Sequence, residues 1–280
     1  ESRRQVVAGR EGVIEEVVGV LAGDGPGVVV HGPSGVGTTT VALAVADRLA
    51  AQGWSVASVL VGAGPGSTST AEVIALLARQ LGVEVPQVPR VGARLAGDDR
   101  IGGAAGEADA GGVVEGGAAG ETVALAGEEL LVWWAAVLAG QSPRTLVVVD
   151  ALDRLDAGDG RDDVEVLRSV PRGGAKVLAS STQADQVRAL AGRGVPGVEV
   201  GELDRVGVEQ AARGWAGASG ARELPAGVVG VMARRPRSGL WVRLVVQALT
   251  WLEQEDFADA EHEAHLGGET AALTALLTRE

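Results

Sequence analysis

The stretch that most restricts what this chain can fold into is Val28-Val29-Val30-His31-Gly32-Pro33-Ser34-Gly35-Val36-Gly37-Thr38-Thr39-Thr40. A short apolar run suited to a buried strand leads into a turn carrying three glycines. Val41, Leu43, Ala44, Val45 and Leu49 then recur at helical spacing, which predicts a helix over Thr39 to Ala51. A glycine-rich loop between a strand and a helix is a phosphate-binding device, because the first backbone N–H groups of a helix have no internal partner and point at whatever sits before them. Gly32, Pro33, Ser34, Gly35, Val36, Gly37, Thr38 and Thr39 have the spacing of a Walker A loop with one substitution: Thr38 stands where a lysine is expected. The glycines permit turns and close backbone approach. Thr39 falls where a hydroxyl ligates Mg²⁺, and Thr40 follows it in the first helical turn.

The missing ammonium is chemically expensive. A charge-assisted hydrogen bond to phosphate is worth roughly 1.5 to 3 kcal/mol, so affinity is expected to fall about ten- to a hundredfold. Hydrolysis is expected to suffer more, since the same charge stabilises the transition state. The chain contains a single lysine, Lys176, far from the loop in sequence, so replacement from elsewhere is not expected.

A second run, Leu146-Val147-Val148-Val149-Asp150, reads as a buried strand ending in a carboxylate, followed by Ala151-Leu152-Asp153. This is the Walker B pattern. Asp150 is placed to hold Mg²⁺ through water, and Asp153 to orient the attacking water or the metal. The alternative ParA/MinD-like class is suggested by Val36 to Thr40, but it carries an aspartate soon after the second strand. Here that strand, Ser55 to Val61, runs into Gly62-Ala63-Gly64 without one, and the acid comes on a later strand. That order favours the additional-strand ATPase class.

Composition narrows the function classes. In 280 residues, 24 basic against 37 acidic side chains give a formal charge of −13, which repels a phosphate backbone and makes a nucleic-acid partner unlikely on charge grounds. The absence of cysteine excludes disulfides and thiolate metal sites. The most apolar helical stretch, Leu130 to Ala139, is about ten residues, short of the ~30 Å hydrocarbon core, so no membrane span is expected. With neither an initiator methionine nor a signal segment at Glu1-Ser2-Arg3-Arg4, the sequence reads as part of a longer protein, and a cytoplasmic location is expected. The six tryptophans are expected in core or partner packing.

Further along, Thr70 to Leu81 is predicted as an amphipathic helix, and Val91 to Glu121, rich in Gly, Ala, Asp and Glu, as a long excursion or mobile loop. Thr122 to Ala139 has helical spacing. Ala175 to Ala179 and Gly197 to Val200 are predicted strands around a helix at Gln183 to Ala191. After Leu203 only helical patterns remain, at Val206 to Ala218, Ala226 to Ala233 and Leu240 to Glu255. Leu273 to Glu280 looks like the start of another element. The expectation is an α/β fold: a P-loop NTPase core with a parallel sheet flanked by helices over 1–202, a small helical subdomain over 203–265, and a tail or further element over 266–280.

The chain resembles the STAND NTPases, particularly their NACHT-like branch within the AAA+-related group. Val7-Ala8-Gly9-Arg10-Glu11 resembles the family's Gly-Arg-Glu segment near the adenine, which makes Arg10 a nucleotide-site residue by resemblance. Asp150-Ala151-Leu152-Asp153 resembles its Asp-x-Leu-Asp motif, and Lys176 to Thr182 its sensor strand, with Ser180 or Ser181 as the polar sensor. Ser238-Gly239-Leu240-Trp241-Val242-Arg243-Leu244 resembles the segment opening the family's helical subdomain, with Gly239 in place of a proline that packs by the adenine; Arg154 stands where an acid is frequent.

The resemblance implies an ATP/ADP and Mg²⁺ switch: ADP clamps core against helical part, exchange for ATP opens it, and the open form self-associates, with sensor and effector domains flanking it. Thr38 and Gly239 point to weak or lost hydrolysis. The alternative is a nucleotide-independent pseudo-NTPase scaffold for protein partners, and an active AAA+ motor ranks third. His262 and His265 miss the metalloprotease spacing by one residue, and Asp156 to Asp163 lacks calcium-loop order, so neither is assigned a metal. Arg234, Arg235 and Arg237 make only a small basic spot.

Overall fold

The computed structural model describes residues 7–64, 67–89, 122–125, 127–155, 167, 173–218, 224 and 226–249. In chain order the elements are α1 (Glu11–Ala22), β1 (Gly27–His31), α2 (Thr38–Ala51), β2 (Ser55–Leu60), α3 (Thr70–Gln80), β3 (Gln87–Pro89), β4 (Thr122–Ala124) and α4 (Gly127–Gly140). These are followed by β5 (Thr145–Asp150), a 3₁₀ turn (Leu152–Arg154), β6 (Lys176–Ser181), α5 (Ala184–Ala191), β7 (Gly197–Glu199), α6 (Arg205–Ala218), α7 (Ala226–Met232) and α8 (Gly239–Leu249).

Five strands form a parallel sheet in the order β2-β5-β6-β1-β7. β6 lies between β1, which feeds the glycine-rich loop, and β5, which ends in Asp150. The acid is thus two strands away from the loop, as the order of motifs in the sequence predicts for the additional-strand class. Strand parity divides the core. Val28, Val30, Leu146, Val148 and Leu178 face α1 and α2, whose Ile14, Val17, Leu21, Val41, Val45 and Leu49 complete one apolar layer. Val29, Val147, Val149, Val177 and Ala179 face the other way, against Ile74 and Leu77 of α3, Trp134 and Leu138 of α4 and Leu190 of α5. Strands buried on both faces read as unbroken apolar runs, which is why β1, β5 and β6 are visible in the sequence.

Gly27 sits where β1 pairs with β6, a Cβ there standing 2.1 Å from the Val177 carbonyl oxygen. Next to it Lys176 is buried and its Nζ donates to the carbonyls of Gly23 at 2.8 Å and Gly25 at 2.6 Å, fixing the α1–β1 turn. At the sheet's outer strand β2, the Gln80 side chain accepts from the Ser58 N–H at 2.8 Å and donates to the Ser58 carbonyl at 2.9 Å.

The helices after β7 have their own apolar cluster, with Leu203, Val208, Ala212, Val229, Met232, Val242 and Val246 buried together. Leu203 and Arg237 exchange backbone hydrogen bonds at 2.8 and 3.0 Å and close this unit. It touches the α/β part at Gly9, whose φ of +77° and contact with Gly207, 2.6 Å from a Cβ placed at position 9, leave no room for a side chain. Asp204 caps α6 by accepting from the Gly207 N–H at 2.7 Å.

One expectation changes and one element is added. Thr122 to Ala139 is not one helix. Thr122–Ala124 pair antiparallel with Gln87–Pro89, and α4 starts at Gly127, whose φ of +59° breaks the path between the two. α1, buried through Ile14, Val17 and Leu21, is an additional helix beyond the predicted elements. α8 is described to Leu249, and residues 250–255 of the predicted helix lie outside the described residues. Val91 to Glu121, Asp156 to Asp163, His262, His265 and Leu273 to Glu280 lie outside the described residues. Among the described residues no helix is long and apolar enough to cross a membrane.

Candidate functional site

The glycine-rich loop lies at the C-terminal edge of β1, where ligands collect in open parallel sheets. Gly35 and Gly37 have φ of +83° and +110°, values open to glycine and strained for other residues. Gly32 faces the Val200 carbonyl, 2.4 Å from where a Cβ would stand. α2 begins at Thr38, with Gly37 as its N-cap and no side-chain cap bond, so the first N–H groups of the helix open onto the loop. Arg10 supports the loop from behind: it is buried, and its guanidinium donates to the Val36 carbonyl at 2.6 Å. Burial pushes that guanidinium below its usual range, and the nearby Asp204 opposes the shift. The structure therefore makes Arg10 a strut of the phosphate loop; where it would stand relative to an adenine belongs to the family resemblance.

Thr39, Asp150 and Ser180 meet although they lie on three elements. Thr39 Oγ1 donates to Asp150 Oδ1 at 3.2 Å, and Ser180 Oγ donates to the same oxygen. The Ala151 N–H in turn donates to Ser180 Oγ at 2.8 Å. Ala151 holds φ 59° and ψ 52°, a left-handed conformation that is uncommon for a residue with a Cβ and turns the chain sharply after the acid. The other oxygen, Asp150 Oδ2, is buried and has no hydrogen-bond partner among the described residues. A buried carboxylate oxygen with unspent accepting capacity, beside a threonine hydroxyl, is the donor chemistry a hard divalent cation takes. The residues present fit Mg²⁺, which Thr39 and Asp150 would hold.

Ser180 and Ser181 separate by strand parity. Ser180 shares the face of Leu178 and reaches Asp150. Ser181 points to α5, where it donates to Gln186 Oε1 at 2.6 Å and accepts from the Gln183 N–H at 3.0 Å. Asp153 is spent on the end of β6: it accepts from Thr182 Oγ1 at 2.9 Å and from the Thr182 N–H at 3.4 Å. It links the acidic turn to the sensor-like strand rather than joining the Thr39–Asp150–Ser180 cluster. His31, at the end of β1, packs against Gly197.

The helical unit completes the site. The Leu240 N–H at the start of α8 donates to the Gly35 carbonyl at 2.9 Å, and the Leu240 side chain lies over Gly35. Gly239 sits against the Val36 carbonyl, 3.3 Å from where its Cβ would be. Together they enclose a cavity of about 300 Å³ lined by Gly35 to Thr40, Ala8, Arg10, Leu203, Ala211, Trp215, Gly239, Leu240 and Arg243. That is the low end of the ~300–1,000 Å³ typical of ligand sites. Leu203, Trp215, Leu240 and Arg243 were not foreseen from sequence as site residues. The one local signal is that Arg243 follows Gly239 by one helical turn, on the face that meets the loop.

Comparison with known proteins agrees with this architecture. The family described as an AAA ATPase domain matches residues 6–178. The structure of Drosophila ORC bound to DNA aligns with 97% of this chain at a TM-score of 0.52 and 15% identity, a likeness of fold alone, and the chain spans 60% of that one. No curated protein matches. With more than half of its length matched, and with the loop, acid and strand order in place, the chain belongs to the AAA ATPase domain family.

Proposed function

We propose that the chain is the nucleotide-binding switch domain of a larger multidomain protein, STAND-like and closest to the NACHT branch, in which ATP hydrolysis is weak or lost. The observation that carries this reading is the direct bond from the Leu240 N–H to the Gly35 carbonyl. The helical unit rests on the phosphate loop itself, so any phosphate that reshapes the loop must also act on the helices, and ligand state becomes domain arrangement. In this reading 1–202 is the core, 203–265 the helical subdomain and 266–280 the beginning of a further part.

The contacts described above support the following residue roles. Backbone N–H groups from Gly35 to Thr39 hold phosphate, Thr39 and Asp150 hold Mg²⁺, and Ser180 links the acid to β6 as a polar sensor. Mg²⁺, when bound, would supply charge neutralisation for the phosphates. Asp153, tied to Thr182, transmits the state of the acidic turn to the end of β6. Thr38 brings a hydroxyl to a place where a full positive charge stabilises transferring phosphate, which keeps binding and removes much of the rate. Adenine nucleotide is the small-molecule partner, a cytoplasmic setting fits it, and self-association with flanking sensor and effector domains belongs to the same proposal. A nucleotide-independent scaffold is the second reading, favoured by Thr38 and by Gly239.

Calorimetry with ADP and ATP–Mg²⁺ on the unmodified chain, Thr38→Lys and Asp150→Ala decides between them. The switch reading expects measurable binding, strengthened about ten- to a hundredfold in Thr38→Lys, and Mg²⁺ dependence lost in Asp150→Ala. No binding by the unmodified chain or by Thr38→Lys leaves the scaffold. Steady turnover by the unmodified chain would instead restore the motor reading.

A further inference from the structure

In α4 the only charged side chains, Glu128 and Glu129, stand in the first turn, and from Leu130 to Gly140 every residue is Leu, Val, Trp, Ala or Gly. Of the described helices longer than seven residues it is the one with no charge beyond its first turn. A helix apolar all round is expected to be covered on every side. α4 is covered on one, where Leu130, Trp134 and Leu138 are buried. On the other side Glu129, Val132, Ala136, Ala139 and Gly140 form an exposed stripe at helical spacing, with Val132 66% exposed. Leu131, Trp133 and Val137 flank it, partly buried. The stripe belongs to the layer opposite α1 and α2, and no residue of α4 lines the phosphate-loop cavity.

We infer that this stripe is the contact between two copies of the chain, with their α4 helices packed antiparallel about a two-fold axis at Ala136. Two chains of charge −13 repel each other, and they meet at least cost where the surface carries no charge, as it does here from Leu130 onward. The ends of the stripe set the direction. Glu128 and Glu129 stand at one end, and the exposed Arg144 stands in the turn beyond the other. None of these three side chains has an ion pair or hydrogen bond among the described residues. With the helices crossing at Ala136, Val132 falls opposite Gly140 of the partner subunit and Glu128 opposite the partner's Arg144, and symmetry forms each pairing twice. Parallel packing would set acid beside acid, whereas antiparallel packing also opposes the helix dipoles. Alanine at the crossing and glycine under Val132 allow the close axial approach, about 8 Å, of tightly packed helices. One helix pair covers less than the ~1,200–2,000 Å² of a stable specific interface, so the contact is weak and responds to local concentration. It goes beyond the nucleotide-switch reading and needs no nucleotide.

The test is sedimentation velocity of the full chain without nucleotide, where a monomer–dimer equilibrium centred at about 0.1 mM is expected. Val132→Glu, at an exposed position, should weaken the dimer about tenfold or more while leaving the thermal unfolding midpoint unchanged. Arg144→Glu should weaken it about three- to tenfold, and adding Glu128→Arg and Glu129→Arg to that variant should restore it. The chain has no cysteine, so Ala136→Cys reports the crossing point directly. Oxidation with copper–phenanthroline should join two copies through a disulfide at that position, whereas Val206→Cys, exposed on α6, should stay largely unlinked. A chain that stays monomeric up to about 1 mM would show that something other than a second copy covers the stripe, and it overturns the inference. So does a dimer indifferent to Val132→Glu, or equal cross-linking at both cysteines, since either places the contact elsewhere. Nucleotide calorimetry is a separate measurement, so the switch reading can fail with this dimer intact, and the dimer can fail with nucleotide binding intact.

Discussion

At the start of β6, Lys176 is buried and two backbone carbonyls satisfy it. At the end of the same strand, Ser180 joins Asp150, whose second carboxylate oxygen is buried with no partner among the described residues. The strand is short and its flanking layers are continuous, yet one end has closed its polar accounts and the other has not. The difference separates two tasks along one strand. The closed end holds α1 to the sheet, and the open end retains accepting capacity for a ligand at some cost in stability, as functional sites do.

The contrast breaks most visibly at the closed end. Gly27→Ala drives a methyl group into the Val177 carbonyl and should prise β1 from β6, costing about 3 kcal/mol or more in urea denaturation. Lys176→Met keeps the aliphatic stem and strands two carbonyls. A loss of about 2 to 3 kcal/mol is expected, with nucleotide affinity measured on the remaining folded chain unchanged. A destabilisation below about 0.5 kcal/mol would show that water replaces the ammonium there and that the two ends are less different than they look.

The smallest effect on stability belongs to the open end. Asp150→Asn removes a buried charge while preserving an acceptor for Thr39 and Ser180, so stability should stay within about 1 kcal/mol of the unmodified chain or rise. The Mg²⁺ dependence of nucleotide binding should be lost. If Asp150→Asn costs as much stability as Lys176→Met, the carboxylate is a structural group and the assignment of a cation site fails.

What could be read from sequence was whatever chemistry forces into consecutive residues. The loop from Gly32 to Thr39 has to be contiguous to wrap a phosphate, and Asp150 has to follow a buried strand, so both were legible, as were strands covered on both faces. Features made by distant pairing were not. The β3–β4 pair joins three-residue strands separated by 32 residues of sequence, and neither strand carries a period of its own. The choice between Ser180 and Ser181 needs only strand parity, but parity has meaning only after Leu178 is assigned to the α1–α2 face. Trp215 and Arg243 line the site because two helices fold back over the loop, an event that leaves no mark around Trp215 and only the one-turn spacing from Gly239 for Arg243.

The paired bonds from Gln80 to Ser58 bear on how copies of this domain can meet. β2 is an outer strand, and an outer strand offers its backbone as a template to any extended segment that arrives. By presenting an amide N–H and an amide C=O to one residue, Gln80 imitates the next strand at the middle of that border. A newcomer must first displace an intramolecular partner that is always present. Crowding of identical chains in an assembly therefore favours contacts through helices and loops, and extension of the sheet through β2 starts at a disadvantage.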